Sequence, residues 1–562
     1  MLVTLLAWIY ISFVCWAWGT IVLRQLKRWL GDSFVSPGFP LTCITGLAAV
    51  TILAGMLSLW MPLGNWPAQV IIAVPCLVVF FQGSARSFLG DLKNHFSDSH
   101  PLTIILLGCS LVMVLILSTW KINHPDTLAY HAQTIHWIEK YKIIPGLVNL
   151  YTRYGYQGQW FVSCAFFSFR FAGMEALTFI NSAVLFWFLL FITQKINSSL
   201  RPGGDSMNGF LWLLLFAASC LSYTQLRLTA SSVSPDFIAT LFTWAVFYLF
   251  IQSIARPSST LWVLLIALSA FTITLKLSAA PVVFVVVYPI VQLLRLKKRK
   301  AIGIVLVLAV LITGPFLARN IITTGYPAFP STFPDIAHVD WKYSKSAAAF
   351  ERDYITAYAR IEVDYSKEAV EKIMNMSTRQ WIPVWWQSKQ VADKTILLFL
   401  MLAIIVFLVH LRSIFRMAPQ IKISLSIALA GTIFWFIAAP DPRFGFGFIL
   451  SFIAIVFTVL FNGLNASKRI PLNFIKGALI VSSLGIAGYT GYRMTHFFSG
   501  NQLIQPLGIE GSVGVSFPCN NIEVTRPKPG NFCGDMSLPC IYSDSCNFMM
   551  KGENITDGFK TK

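Results

Sequence analysis

Apolar stretches on the scale of the ~30 Å hydrocarbon layer of a bilayer follow one another along most of the chain. The first runs from Leu2 to Leu23, and others begin near Leu41, Ala68 and Leu102. The series continues from Ala176 to Thr193, Phe210 to Tyr223, Phe237 to Ile254, Leu261 to Leu275, Ala279 to Leu294 and Ile302 to Leu317. After a polar interval it resumes from Ile396 to Leu411, Ile423 to Ala438, Phe446 to Phe461 and Phe474 to Tyr489. This pattern predicts an all-α polytopic membrane protein of about 14 transmembrane helices. A shorter piece, Trp160 to Phe171, reads as interfacial or re-entrant.

Composition sharpens that class. With 56% hydrophobic and 12% charged residues in 562, an ordinary soluble protein is excluded. A net charge of +19 would suggest a nucleic-acid partner in a soluble chain. Here the cations gather in alternate connections, where cytoplasmic placement and anionic headgroups account for them, and no nucleic acid is implied. Arg24, Lys27 and Arg28 follow the first apolar run instead of preceding it, so it reads as a retained span with the N-terminus outside the cytoplasm. Lys195 and Arg201, Arg256, the run Arg295 to Lys300, Arg412 with Arg416 and Lys422, and Lys468 with Arg469 then fall inside. An even number of crossings returns the C-terminus to the outside.

The chain divides into N-terminal transmembrane helices (1–120), a first outer loop (121–175), a transmembrane core (176–325), an outer helical segment (326–394), C-terminal transmembrane helices (395–491) and a cysteine-containing outer tail (492–562). Within 326–394, Ser346 to Met374 reads as helix interrupted near Asp364 to Ser366. The tryptophans Trp381, Trp385 and Trp386 fit either the headgroup level or packing on the membrane domain. Cys519, Cys533, Cys540 and Cys546 fit two disulfides with three possible pairings, or a loosely spaced zinc site.

Chemistry-bearing residues concentrate at the outer ends of the spans. The first loop carries Asp126, three histidines, Arg153 and several aromatics. Asp236, Lys276, Arg319, and Asp441 with Arg443 lie where other spans meet that face. Ionisable groups at membrane depth are costly and normally face protein or a wet cavity, which marks these as a candidate site, with snorkelling or helix-end pairing the alternative for each cation. Arginine and lysine stabilise a departing phosphate, and a neighbouring carboxylate can take the proton of an attacking hydroxyl. Neither a dinucleotide-binding glycine motif nor a P-loop is present, which points away from a nucleotide donor. His131 and His136, five apart, share a helical face poorly; Asp126 with His131 leaves a divalent ion, acceptor contact or plain hydrogen bonding open.

These residues resemble the GT-C superfamily of integral-membrane glycosyltransferases. The resemblance is carried by His124-Pro-Asp126, Tyr130-His131, Trp137-Ile, Pro145-Gly-Leu, Arg153-Tyr-Gly and Trp160-Phe, by Ser234-Pro-Asp236 and by the Arg319-Asn320 to Gly325-Tyr-Pro327 run. With Cys533 and Leu538-Pro-Cys540 it looks similar to a large bacterial branch of that superfamily. The resemblance implies a multi-pass protein of the bacterial inner membrane that moves a sugar from a polyprenyl-phosphate carrier to a glycan, lipid or protein acceptor, with inversion and without a cofactor. It implies Asp126 as base or acceptor-orienting residue and Asp236 as a second acidic position, beside which His131 is the candidate acceptor contact. Lys276, Arg319 and Arg443 would bind the donor phosphate. Aromatic faces and a guanidinium suit sugar hydroxyls, so Tyr130, Tyr151, Arg153, Tyr156 and Asp441 are candidates for the sugar site, with packing the alternative. The alternative is a flippase of lipid-linked glycans.

Overall fold

Long apolar segments meet their backbone hydrogen-bonding needs internally only as helices when lipid surrounds them, and helices are what these segments form. The computed structural model describes residues 1–562 except 33–36, 80, 82–84, 97–98, 175–176, 202–203, 205, 222, 465–470, 510, 521 and 543–545. Among the described residues, eleven helices are long and apolar enough to cross a membrane, and Trp66–Val79, Met207–Cys220 and Ser259–Leu275 are apolar but shorter. The protein is an all-α polytopic membrane protein with a small β-containing tail. Lys468 and Arg469 lie outside the described residues.

Phe179–Leu200 and Asp236–Ala255 form the centre of the array, each with 78% of its apolar window buried. Around them, Arg299–Thr324, Val391–Val409 and Leu472–Phe497 are only 22% buried and turn leucine, valine and isoleucine side chains outward, as lipid-facing helices do. Small residues let Leu2–Leu30 and Phe39–Leu57 approach backbone to backbone: a Cβ on Gly46 would stand 1.6 Å from the Cys15 carbonyl oxygen. Polar side chains lock the neighbouring contact. Trp8 Nε1 donates to Ser182 Oγ and Trp187 Nε1 to Ser12 Oγ, both at 2.8 Å.

One end of this array carries the first loop, the helical segment after Thr324 and the tail. The Met1 amine donates to the Gln502 carbonyl and Val3 N to Ile504 O, so the chain start meets the segment that follows the last long helix. At the same end, Lys345–Arg360, Lys367–Met374 and Thr378–Ser388 form a helical segment, broken between Arg360 and Lys367. Trp385 Nε1 donates to Pro440 O at 2.7 Å, so the tryptophan cluster packs on the connection between two long helices. Trp160 to Phe171 is protein-packed: it begins as the short buried helix Gln159–Phe166. The tail holds two antiparallel hairpins, Gly514–Cys519 with Ile522–Pro527 and Phe548–Met550 with Phe559–Thr561. Its cysteines pair as Cys519–Cys546 and Cys533–Cys540.

Candidate functional site

Four separate element ends bring the charged residues together. Asp126 precedes a π-helical turn, Thr127–His131, that leads into Ala132–Lys140. Asp236 is the first residue of Asp236–Ala255, where the positive end of the helix dipole favours a carboxylate. The approach to that helix is held by Asn181 Nδ2, which donates to Ser234 O at 2.9 Å. Lys276 sits in extended backbone between the helix Ser259–Leu275 and the 3₁₀ stretch Leu277–Val286. Arg443 enters at the start of Pro442–Leu464, its backbone N–H donating to Asp441 Oδ1 at 3.2 Å.

These groups form a connected ladder of opposite charges. Arg443 Nη1 donates to Asp126 Oδ2 at 3.0 Å, and its Nε lies 3.7 Å from Asp236 Oδ2 and 3.6 Å from Asp441 Oδ1. Lys276 Nζ bonds the other Asp236 oxygen, Oδ1. Both cations also lie over the Phe444 ring, Lys276 Nζ 4.0 Å and the Arg443 guanidinium carbon 4.9 Å from its centroid. Asp236 is the least exposed member, at 8%. Removing one partner would therefore strand a poorly solvated charge.

The ladder faces a cavity of about 450 Å³ lined by Asp126, Tyr130, His131, Arg153, Tyr156, Asp236, Lys276 and Arg443. Its apolar lining includes Phe316 from Arg299–Thr324, Phe434 and Trp435 from Pro419–Ala438, and Phe329 beyond the first of these. Glu351, Tyr354 and Tyr358 of the helix Lys345–Arg360 and Phe532 of the tail also line it. The Arg153 guanidinium lies 5.6 Å from the Tyr130 ring centroid and 5.5 Å from that of Tyr354. Glu351 is occupied on both oxygens: Tyr156 OH donates to Oε1 at 2.5 Å and Tyr365 OH to Oε2 at 2.8 Å.

Electrostatics set the protonation states at neutral pH. Burial opposes ionisation of Asp126, but Arg443, assisted by His124, His131 and Arg153, outweighs it and holds the carboxyl well below the usual carboxylate range. Burial pushes the His131 imidazole down to about 3 against the pull of Asp126, so the ring is neutral. His124 is lowered for the same reason, and its Nδ1 accepts from Thr127 N at 3.2 Å, steadying the π turn. Tyr130 is raised by burial and by Asp126, and stays protonated.

The structure thus brings together Asp126, Asp236, Lys276 and Arg443, with His131, Tyr130, Arg153 and Tyr156 beside them. Three expected residues lie elsewhere. Arg319 is 2% exposed and absent from the cavity lining: Nη1 donates to Ser58 Oγ and Nη2 to Gln157 Oε1, both at 2.6 Å. A buried guanidinium takes whatever acceptors its surroundings offer, and Arg319 lies behind Gln157, which itself lines the cavity. Tyr151 packs against Tyr154 and Tyr542 at 5.1 and 5.4 Å, drawn into the interface with the tail. Asp441 is absent from the lining too and serves as a partner of Arg443. His136 is turned to Glu139 at 2.8 Å, apart from His131. Among the described residues, no three His, Cys, Asp or Glu side chains are grouped as metal ligands.

Glu351, Tyr354, Tyr358 and Phe532 were invisible to motif reading. The first three have a sequence signal, since positions 351, 354 and 358 fall on one face of the helix Lys345–Arg360. Phe532 has none: it reaches the cavity because the tail is tied to the first loop. Gly534 N donates to Leu128 O at 2.8 Å, and Gln133 Nε2 donates to Met536 O at 2.8 Å and Gly534 O at 3.2 Å.

No curated protein and no solved structure matches the chain. Residues 1–450 match the family model described as a domain of unknown function (DUF8201), a span that includes every member of the charge ladder and stops short of the tail. The chain therefore belongs to the DUF8201 family.

Proposed function

We propose that this protein is a membrane glycosyltransferase of GT-C type, moving a sugar from a polyprenyl-phosphate carrier to an acceptor hydroxyl outside the cytoplasm. The observation that carries the reading is the Asp126–Arg443–Asp236–Lys276 ladder on a half-apolar cavity. The acceptor oxygen bonds to the anomeric carbon while the bond from that carbon to the phosphate oxygen breaks. The hydroxyl proton passes to the Asp126 carboxylate, which its neighbours keep ionised. The carrier enters as a phosphate diester and leaves as a monoester with one more negative charge, which Lys276 and Arg443 neutralise. As that charge grows it competes with Asp126 for Arg443, and a carboxylate losing its cation becomes a better base.

Topology fits the same reading. The chain start and the end of the last long helix share one end of the array, which requires an even number of crossings. Among the described residues the eleven long helices are an odd number; counting the three shorter apolar helices as well gives the even fourteen. Cations following the first span fit a shared end that lies outside the cytoplasm. Phe434 lines the cavity and is 40% exposed on Pro419–Ala438, an apolar edge from which a lipid carrier can enter sideways.

The test is reconstitution of the full chain with a radiolabelled polyprenyl-phosphate sugar and extracts of envelope glycan. Labelled product without an ion gradient is expected. Movement of the donor between leaflets without product would establish a flippase instead.

A further inference from the structure

The cations of the ladder are already neutralised. Arg443 is within ion-pair distance of Asp126, Asp236 and Asp441, and Lys276 is bonded to Asp236. Arg153 is different. It lines the same cavity, yet among the described residues it has no carboxylate within ion-pair distance. Both oxygens of Glu351 are engaged by Tyr156 and Tyr365, and Asp126 is committed to Arg443. The Arg153 guanidinium lies over the rings of Tyr130 and Tyr354 and also hydrogen-bonds Tyr354, and with five N–H donors it can hold that partner and still offer a pair to an oxyanion. The planar fork matches the paired oxygens of a phosphate or carboxylate.

We propose that Arg153 is the open anion receptor of the cavity, taking an oxyanion that the substrate carries, and that the substrate is therefore acidic at a point near Tyr130 and Tyr354. Two sources share this chemistry: the phosphate ester of a lipid carrier and the carboxylate of an acidic sugar. The inference rests on the transferase reading for its choice of substrates, but its test needs no turnover.

Full-length protein in nanodiscs is titrated with farnesyl phosphate, farnesol, glucuronate and glucose, for wild type, R153Q and R153K. Binding of either anionic probe at least roughly tenfold tighter than its neutral counterpart, lost in R153Q and partly kept in R153K, supports the receptor. Preference for farnesyl phosphate identifies the carrier phosphate as the occupant, and preference for glucuronate identifies the sugar carboxylate. Equal binding of charged and neutral probes, or wild-type affinity for the anions in R153Q, overturns it. Unchanged size-exclusion behaviour and thermal unfolding show that each variant is folded. Anion binding at Arg153 in a protein that transfers no sugar would leave the receptor standing and reject the glycosyltransferase.

Discussion

At the scale of single residues the proposed chemistry rests on Asp126 and Arg443, and a prediction follows from how they are paired. In Arg443→Gln the main influence lowering the Asp126 carboxyl is gone while burial, which raises it, remains. The acid limb of any transferase activity should therefore move to higher pH in that variant, as a pH–rate profile would show; an unmoved limb would separate the two residues. The histidines make a stability prediction with a definite sign. His131 is pushed from 6.5 down to about 3 by burial, so between those values the unfolded chain binds more protons than the folded one. Stability should rise with pH across that window and flatten in His131→Gln, measured by thermal unfolding in detergent at stepped pH. Asp126 acts at the lower end of that window and beneath it, since a carboxyl held down in the folded state adds stability above 3.8 that is lost on further acidification. Most of this site was legible in the sequence, because an ionisable residue beside an apolar run is conspicuous. Arg319 shows where that logic stops, since a cation at membrane depth signals a partner without saying whether it is a substrate or, as here, Ser58 and Gln157.

At the scale of elements, apolar run length located most helices, while their contacts were set by features too local for run length to register. Gly46 and Gly19 are two of them: a Cβ on Gly19 would stand 1.9 Å from Thr42 O, and one on Gly46 even closer to Cys15 O. Gly46→Leu must push two backbones apart, and overpacking of this kind costs about 1–3 kcal/mol or more. The expected outcome is a clearly lower Tm and a poor yield of monodisperse protein; a wild-type Tm would show that the helices are not in such contact. The stretch Leu277–Val286 is likewise unreadable as 3₁₀ from its apolar run, although its position fixes Lys276 at the ladder.

The tail gives the molecule its long-range closure. Its residues lie hundreds of positions from the first loop, so no local pattern announces that Gly534 bonds to Leu128, that Tyr154 OH donates to Cys540 O at 2.5 Å, or that Phe532 borders the cavity. The Cys533–Cys540 disulfide closes the loop that makes these contacts. Replacing both cysteines by serine should cost about 2–3 kcal/mol by the loop-entropy relation, lower the Tm and loosen the first loop, visible as faster hydrogen exchange at residues 126–136. Exchange unchanged there would show that the tail is a passenger. Reporters fused at the two termini should also read the same side of the membrane.

The most direct test of the transferase account is sugar transfer by Asp126→Asn. In reconstituted protein given a labelled polyprenyl-phosphate sugar and an acceptor extract, wild type should form product. The variant should be slower by roughly 10²–10⁴-fold while folding normally. Equal rates in the two proteins would contradict the account.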